Sequence, residues 1–136
     1  MNRATRRIVS TIGVLLGIAG MEHGFFEVLQ GNTPTDGLVI QAIGDTHQMW
    51  YYGTEEAFTL IPNFLITGIL AMTIGLAIII WSVGFVHKRR GAAVFGLLFI
   101  ALFLFGGGIA AQVVIAPPTW AAATRINKPL TWWRKV

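Results

Sequence analysis

The chain has 136 residues, of which 54% are hydrophobic and 12% charged, about half the charged fraction of an ordinary soluble domain. This composition excludes a conventional soluble globular domain and predicts one all-α domain over residues 1–136, an integral membrane bundle. The absence of cysteine excludes disulfides, thiolate catalysis and cysteine-ligated clusters. The net charge of +4 does not point to nucleic acid, because the cations flank apolar segments instead of forming a soluble basic face.

Arg3, Arg6 and Arg7 lead into the first apolar run, IVSTIGVLLGIAGMEHGFFEVL at about 8–29, which is long enough to span a bilayer. Its arginines and the small-x-small Gly17-Ile18-Ala19 resemble a cleavable leader, but the apolar run continues past that point and predicts a retained helix. At about 100° per residue Gly13, Gly17, Gly20 and Gly24 form one stripe, with Glu27 on its edge, suited to close approach by another helix. His23 lies one turn before Glu27, so the two are expected to face the bundle interior and to hydrogen-bond to each other. Glu22 points nearly the opposite way and needs its own partner or the headgroups.

The turn residues of GNTPTDG end this helix and open a long loop. LVIQAI, residues 38 to 43, is too short to span and reads as a short interfacial helix or a strand-like cover. DTHQMWYYGTEE then carries Asp45, His47, Glu55 and Glu56 beside Trp50, Tyr51 and Tyr52, aromatics suited to headgroup level.

The second helix is expected over about 55–86, capped by Thr54, with Glu55 and Glu56 against the positive end of its dipole. Pro62 should kink it and Asn63 place an amide at the kink. HKRRG is a basic turn, and the third helix is expected over about 92–115, with Gly106-Gly107-Gly108 either packing closely or weakening it and Pro117-Pro118 stopping it. The tail from Trp120 reads as an interfacial anchor, with Trp132 and Trp133 beside Arg134 and Lys135.

Every Asp and Glu lies between Glu22 and Glu56, a segment without Lys or Arg. By the positive-inside tendency the amino terminus is cytoplasmic, in what is expected to be a prokaryotic inner membrane, with the first loop outside. Three transmembrane helices then put Arg125 and Lys128 outside, on the side of Asp45, Glu55 and Glu56. A fourth crossing arises if residues 38–46 enter the membrane.

This topology gathers Glu22, His23, Glu27, Asn63 and Gln112 in the outer half, below the loop carrying His47. The expected function is binding of a small molecule, lipid headgroup or cation by these six residues. The alternative is an accessory or assembly subunit docking through the glycine-rich helix, to a partner membrane protein or a second copy. An enzyme using Glu27 and His23 as acid and base is a third option. His23, Glu27 and His47 are also a conceivable metal set, and His23 with His47 a haem pair, but neither H-E-x-x-H nor E-x-x-H occurs. No metal, cofactor or catalytic residue is assigned. The purely apolar inner half disfavours a pore.

The glycine-rich, arginine-led first helix with its polar outer end, GIAGMEHGFFEVLQG, resembles in layout the small prokaryotic membrane proteins of the DoxX family. That resemblance implies a four-helix membrane fold and no particular activity.

Overall fold

The structure, a computed structural model, describes residues 1–43 and 55–128. His47, Asp45 and the aromatics Trp50 to Tyr52, with Trp132, Trp133, Arg134 and Lys135, lie outside the described residues. Helix α1 (Arg3–Leu29) starts at Asn2, whose side-chain oxygen accepts from Thr5 N at 3.1 Å, and ends where the turn residues begin. Its buried side is the expected one: Gly13, Gly17, Gly20, His23, Gly24 and Glu27 all face inward.

Helix α2 (Phe64–Gly84) runs antiparallel to α1 along a seam of small residues. Ser10, Gly17 and Gly24 meet Ser82, Gly75 and Gly68, three levels seven residues apart on each helix. Ser10 Oγ donates to Ser82 O at 2.6 Å. A Cβ added at Gly17 would lie 2.7 Å from Gly75 O, and one at Gly24 would lie 2.5 Å from Gly68 O, so side chains larger than hydrogen do not fit at either level. A seven-residue period keeps one face of each helix on its partner, and the two backbones are in contact.

The second helix is shorter at its start than the sequence suggested. Residues 55–58 form a strand, not the first turn of a helix. Pro62 lacks the N–H that a helix interior needs, so the helix begins after it, with Asn63 as N-cap accepting from Ile66 N at 3.1 Å. There is no kink at Pro62 because Pro62 is not in the helix.

Strand β1 (Val39–Ile43) pairs antiparallel with β2 (Glu55–Phe58), Ile40 opposite Ala57 and Gln41 opposite Glu56. LVIQAI is therefore the strand-like cover. Gln30, just past α1, holds the hairpin down by donating from Nε2 to Gln41 O and Ala42 O at 3.1 Å each.

Helix α3 (Gly91–Leu104) packs alongside α1, with Phe95 against Gly13 and Leu102 against Gly20. The expected single helix over 92–115 is broken. Gly106 and Gly108 have φ of 90° and 86°, a region that side chains other than glycine rarely enter, and the chain reverses through them. β2 secures the break: Gly106 N donates to Phe58 O at 2.9 Å and Leu60 N to Leu104 O at 3.0 Å.

Two short helices, α4 (Ile109–Val114) and α5 (Ala116–Ala123), make a fourth limb back along the bundle. Pro117 and Pro118 sit in the first turn of α5, where their missing N–H groups are not needed, so they start a helix here and do not stop one. The limb ends beside the first residues of the chain: Asn2 N donates to Ile126 O at 2.7 Å, and Asn127 Nδ2 donates to His87 O at 2.9 Å. Arg125 and Lys128 thus lie at the end of the bundle that carries Arg3 and Lys88, opposite Glu55 and Glu56. The expectation of a tail on the acidic side is wrong, because the reversal at Gly106–Gly108 adds a limb that the three-helix count lacked.

The core runs through Val9, Leu16, Ile78, Phe95, Phe99, Leu102 and Ile126. Outside it, Leu15, Ile18, Leu76, Ile80, Leu97 and Ile100 are exposed, and α1 and α2 are each long and apolar enough to cross a membrane.

The seam predicts a sharp contrast between Gly24, inside α1 and on the seam, and Gly84, the last residue of α2 and off it. Gly24→Ala should destabilise the purified protein by about 1 to 3 kcal/mol through overpacking. Gly84→Ala, where an added Cβ meets nothing within 4 Å, should leave the midpoint of thermal unfolding nearly unchanged. Equal effects of the two substitutions would show that the seam does not hold the helices together.

Candidate functional site

At the acidic end, α1, β2 and the Gly106–Gly108 turn converge. His23 is 6% exposed, and its Nε2 donates to Glu55 Oε2 at 2.7 Å; a carboxylate can only accept, so this nitrogen carries the proton. The partner of His23 is therefore Glu55, from the strand, and not Glu27 one turn along α1. The pairing depends on the hairpin being in place, since β2 brings Glu55 over the end of α1.

Glu27 is fully buried, and neither carboxylate oxygen has a hydrogen-bond partner among the described residues. It faces inward as the glycine stripe implied, but the expected bond to His23 does not form. What meets it is backbone: a Cβ at Gly106 would collide with both Glu27 oxygens, and one at Gly108 would lie 2.7 Å from His23 Nε2. The turn thus lies flat over the two side chains, and its glycines are needed twice, for positive φ and for this approach.

Gln112 follows on the other side of the turn, 5% exposed, with Nε2 3.5 Å from Gly107 O and with Oε1 unpartnered among the described residues. His23 Nδ1 is likewise buried without a partner. Glu27, His23 and Gln112 therefore place four unsatisfied buried atoms around one three-residue turn, whereas buried polar atoms in folded proteins are overwhelmingly hydrogen-bonded. The other such atom is Nδ1 of His87, at the opposite end, where burial and then Arg6 and Lys88 push the imidazole pKa below its ordinary value.

Beside the His23–Glu55 pair a cleft of about 880 Å³ opens, lined by Ala19, Glu22 and His23 of α1, by Glu55 and Glu56 of β2, and by Ile109, Ala110, Ala111 and Val114 of α4. Its ionisable side chains are Glu22, Glu55, Glu56 and His23. Glu22, expected to point away, lies in this wall. Among the six predicted site residues, Glu22 and His23 line the cleft, Glu27 is sealed beneath Gly106, and Gln112 faces a different cavity. Asn63 is elsewhere: it caps α2 and donates from Nδ2 to Asn32 Oδ1 at 2.7 Å. His47 lies outside the described residues. Among the described residues no three His, Asp or Glu side chains are grouped to hold a metal ion.

Glu55 and Glu56 are the cleft residues that the helix assignment over 55–86 misplaced. The signal lay in Pro62-Asn63, a proline followed by an N-cap residue and a long apolar run, which marks a helix start and leaves residues 55–58 free to form a strand.

Comparison with protein-family models, curated proteins and solved structures finds no match. The geometry alone carries the functional argument.

Among the described residues Glu27 has no hydrogen-bond partner for its carboxyl group, so its replacement by an apolar side chain of similar length should help the fold. Glu27→Met is expected to raise stability by about 1 to 3 kcal/mol, the usual penalty of an unsatisfied buried polar group. Thermal unfolding of the purified variant measures this, and a lowered midpoint would mean that Glu27 has a structural partner.

Proposed function

We propose that the protein is an integral membrane protein, DoxX-like in layout, that binds a small cationic molecule with an apolar body in the cleft at its acidic end. The observation that carries this reading is the cleft lining itself: Glu22, Glu55 and Glu56, with no lysine or arginine among the described residues that line it, together with an apolar wall from Ile109, Ala110, Ala111 and Val114 of α4. Three carboxylates attract an ammonium group, and the apolar wall accommodates the carbon skeleton attached to it. His23 positions Glu55 and leaves the second oxygen of that carboxylate for the ligand.

Membrane residence is supported by the unpartnered apolar surface of all four limbs and by the two long apolar helices. The charge distribution supports an orientation. Arg3, Arg6, Arg7, Lys88, Arg89, Arg90, Arg125 and Lys128 gather at one end, which the positive-inside tendency makes cytoplasmic, in a prokaryotic inner membrane; the cleft then faces outward. An accessory subunit docking through the glycine-rich helix has less support, because α2 and α3 of the same chain already fill that stripe.

Binding is tested with the full chain in lipid nanodiscs, using octylammonium and octyl sulfate as probes. Octylammonium should bind with an affinity that falls as salt is raised, and Glu22→Gln and Glu56→Gln should each weaken it about tenfold, the size of a charge-assisted contact. Equal binding of the two probes would reject the cationic ligand.

Orientation has its own test. Single cysteines introduced at Lys88 and Lys128 should be labelled by an impermeant maleimide from the cytoplasmic side, and one introduced at Thr33 from the outer side. Labelling of the Lys128 and Thr33 positions from the same side would rule out the four-limb arrangement in the membrane.

A further inference from the structure

The reversal at Gly106–Gly108 lays α3 beside α4 and α5, and between these limbs is a second cavity of about 690 Å³, separate from the acidic cleft. α4 divides the two. Its Ala111 and Val114 face the cleft, while Gln112 and Val113 face this groove.

The groove is elongated and has one polar end. Along α3 it is lined by Ala93, Gly96, Leu97, Ile100 and Phe103, a stripe that rises about 15 Å from Ala93 to Phe103. Trp120 of α5 stands over Gly96 at the far end, and Gln112 stands near Phe103 and the turn. Apart from the Trp120 indole, Gln112 is the one polar side chain in the lining among the described residues. Its Nε2 is directed to Gly107 O, and its Oε1, buried, has no partner among the described residues. An acceptor held at one end of an apolar slot calls for a ligand with a donor at one end and a hydrocarbon chain behind it.

We propose that this groove binds a single-chain amphiphile with a neutral hydroxyl head, such as a long-chain alcohol, its O–H donating to Gln112 Oε1 and its chain lying along α3 toward Trp120. Bulk acyl chains have no donor and leave Gln112 unmet, so the site selects by its one hydrogen bond. A helix of another protein or a second copy of this chain is the competing occupant, and it would cover the groove without needing the acceptor.

The probes are 9,10-dibromohexadecan-1-ol and its methyl ether, which differ only in the donor, added to the full chain in detergent with tryptophan fluorescence as the readout. The alcohol should quench at about fivefold lower concentration than the ether, consistent with one net hydrogen bond. Gln112→Leu should abolish that preference while the ether still binds, and Trp120→Phe should remove most of the quenching by both. Equal quenching by alcohol and ether in the unmodified protein would overturn the proposal. So would a preference that survives Gln112→Leu, or quenching unaltered by Trp120→Phe. Gly96→Ala is a second variant that leaves Gln112 untouched: its Cβ would lie 2.6 Å from Trp120 Nε1 and displace the ring, so both probes should bind more weakly, and unchanged binding would also count against the groove. Retention of a second copy or another protein that neither probe displaces would assign the groove to a protein partner and overturn the proposal.

Discussion

The reversal of the chain at Gly106–Gly108 is the constraint from which the rest of the arrangement follows. Two glycines at positive φ end α3 after Leu104 and send the chain back toward its beginning. Without that reversal residues 109–128 would continue away from the bundle, and Ile126 could not accept from Asn2. Within the turn Gly106 meets Glu27 and Gly108 meets His23, Gly106 N bonds to Phe58 O of β2, and Gly107 O accepts from Gln112. One backbone feature thus sets the helix count, the position of the basic tail and the division between the two cavities.

The turn is stable because several independent contacts define it. β2 bonds it through Phe58 O, Leu60 just past the strand donates to Leu104 O before the turn, and β2 is itself paired with β1, which Gln30 anchors to α1. Glu55 then reaches His23 from the strand end. The acidic cleft is therefore assembled from three distant parts of the chain, and the fit of each depends on the others. A hydrogen-bonded side-chain pair that is partly open to solvent contributes little stability by itself. Its consequence is geometric, in that it fixes the imidazole and one carboxylate at the mouth of the cleft.

Glu27 contrasts with this. Its carboxyl group is fully enclosed, has no hydrogen-bond partner among the described residues, and lies under glycine backbone, an arrangement unfavourable to the fold. An ionisable group held at a stability penalty inside an apolar segment is a hallmark of functional selection in membrane segments. It sits behind the cleft wall and not in it, so cleft and buried carboxyl are neighbours joined by His23, one turn away on α1.

Much of this was determined by the sequence alone. Glycines at 13, 17, 20 and 24 set the inward face of α1, because only that stripe admits a second backbone, and Glu27 and His23 follow from its phase. The segregation of acids between Glu22 and Glu56 determined that the two ends of the bundle would differ in charge. The seven-residue spacing of Gly68 and Gly75, matching Gly17 and Gly24, was also legible as a seam, and so was the helix start after Pro62. Tertiary structure decided what local pattern cannot. Three consecutive glycines fit either a tightly packed helix or a reversal, and the choice depends on β2 being present to bond the turn. Whether His23 meets Glu27 on its own helix or Glu55 from a strand far along the chain depends on long-range placement, since helical spacing permits the first and only the assembled hairpin supplies the second.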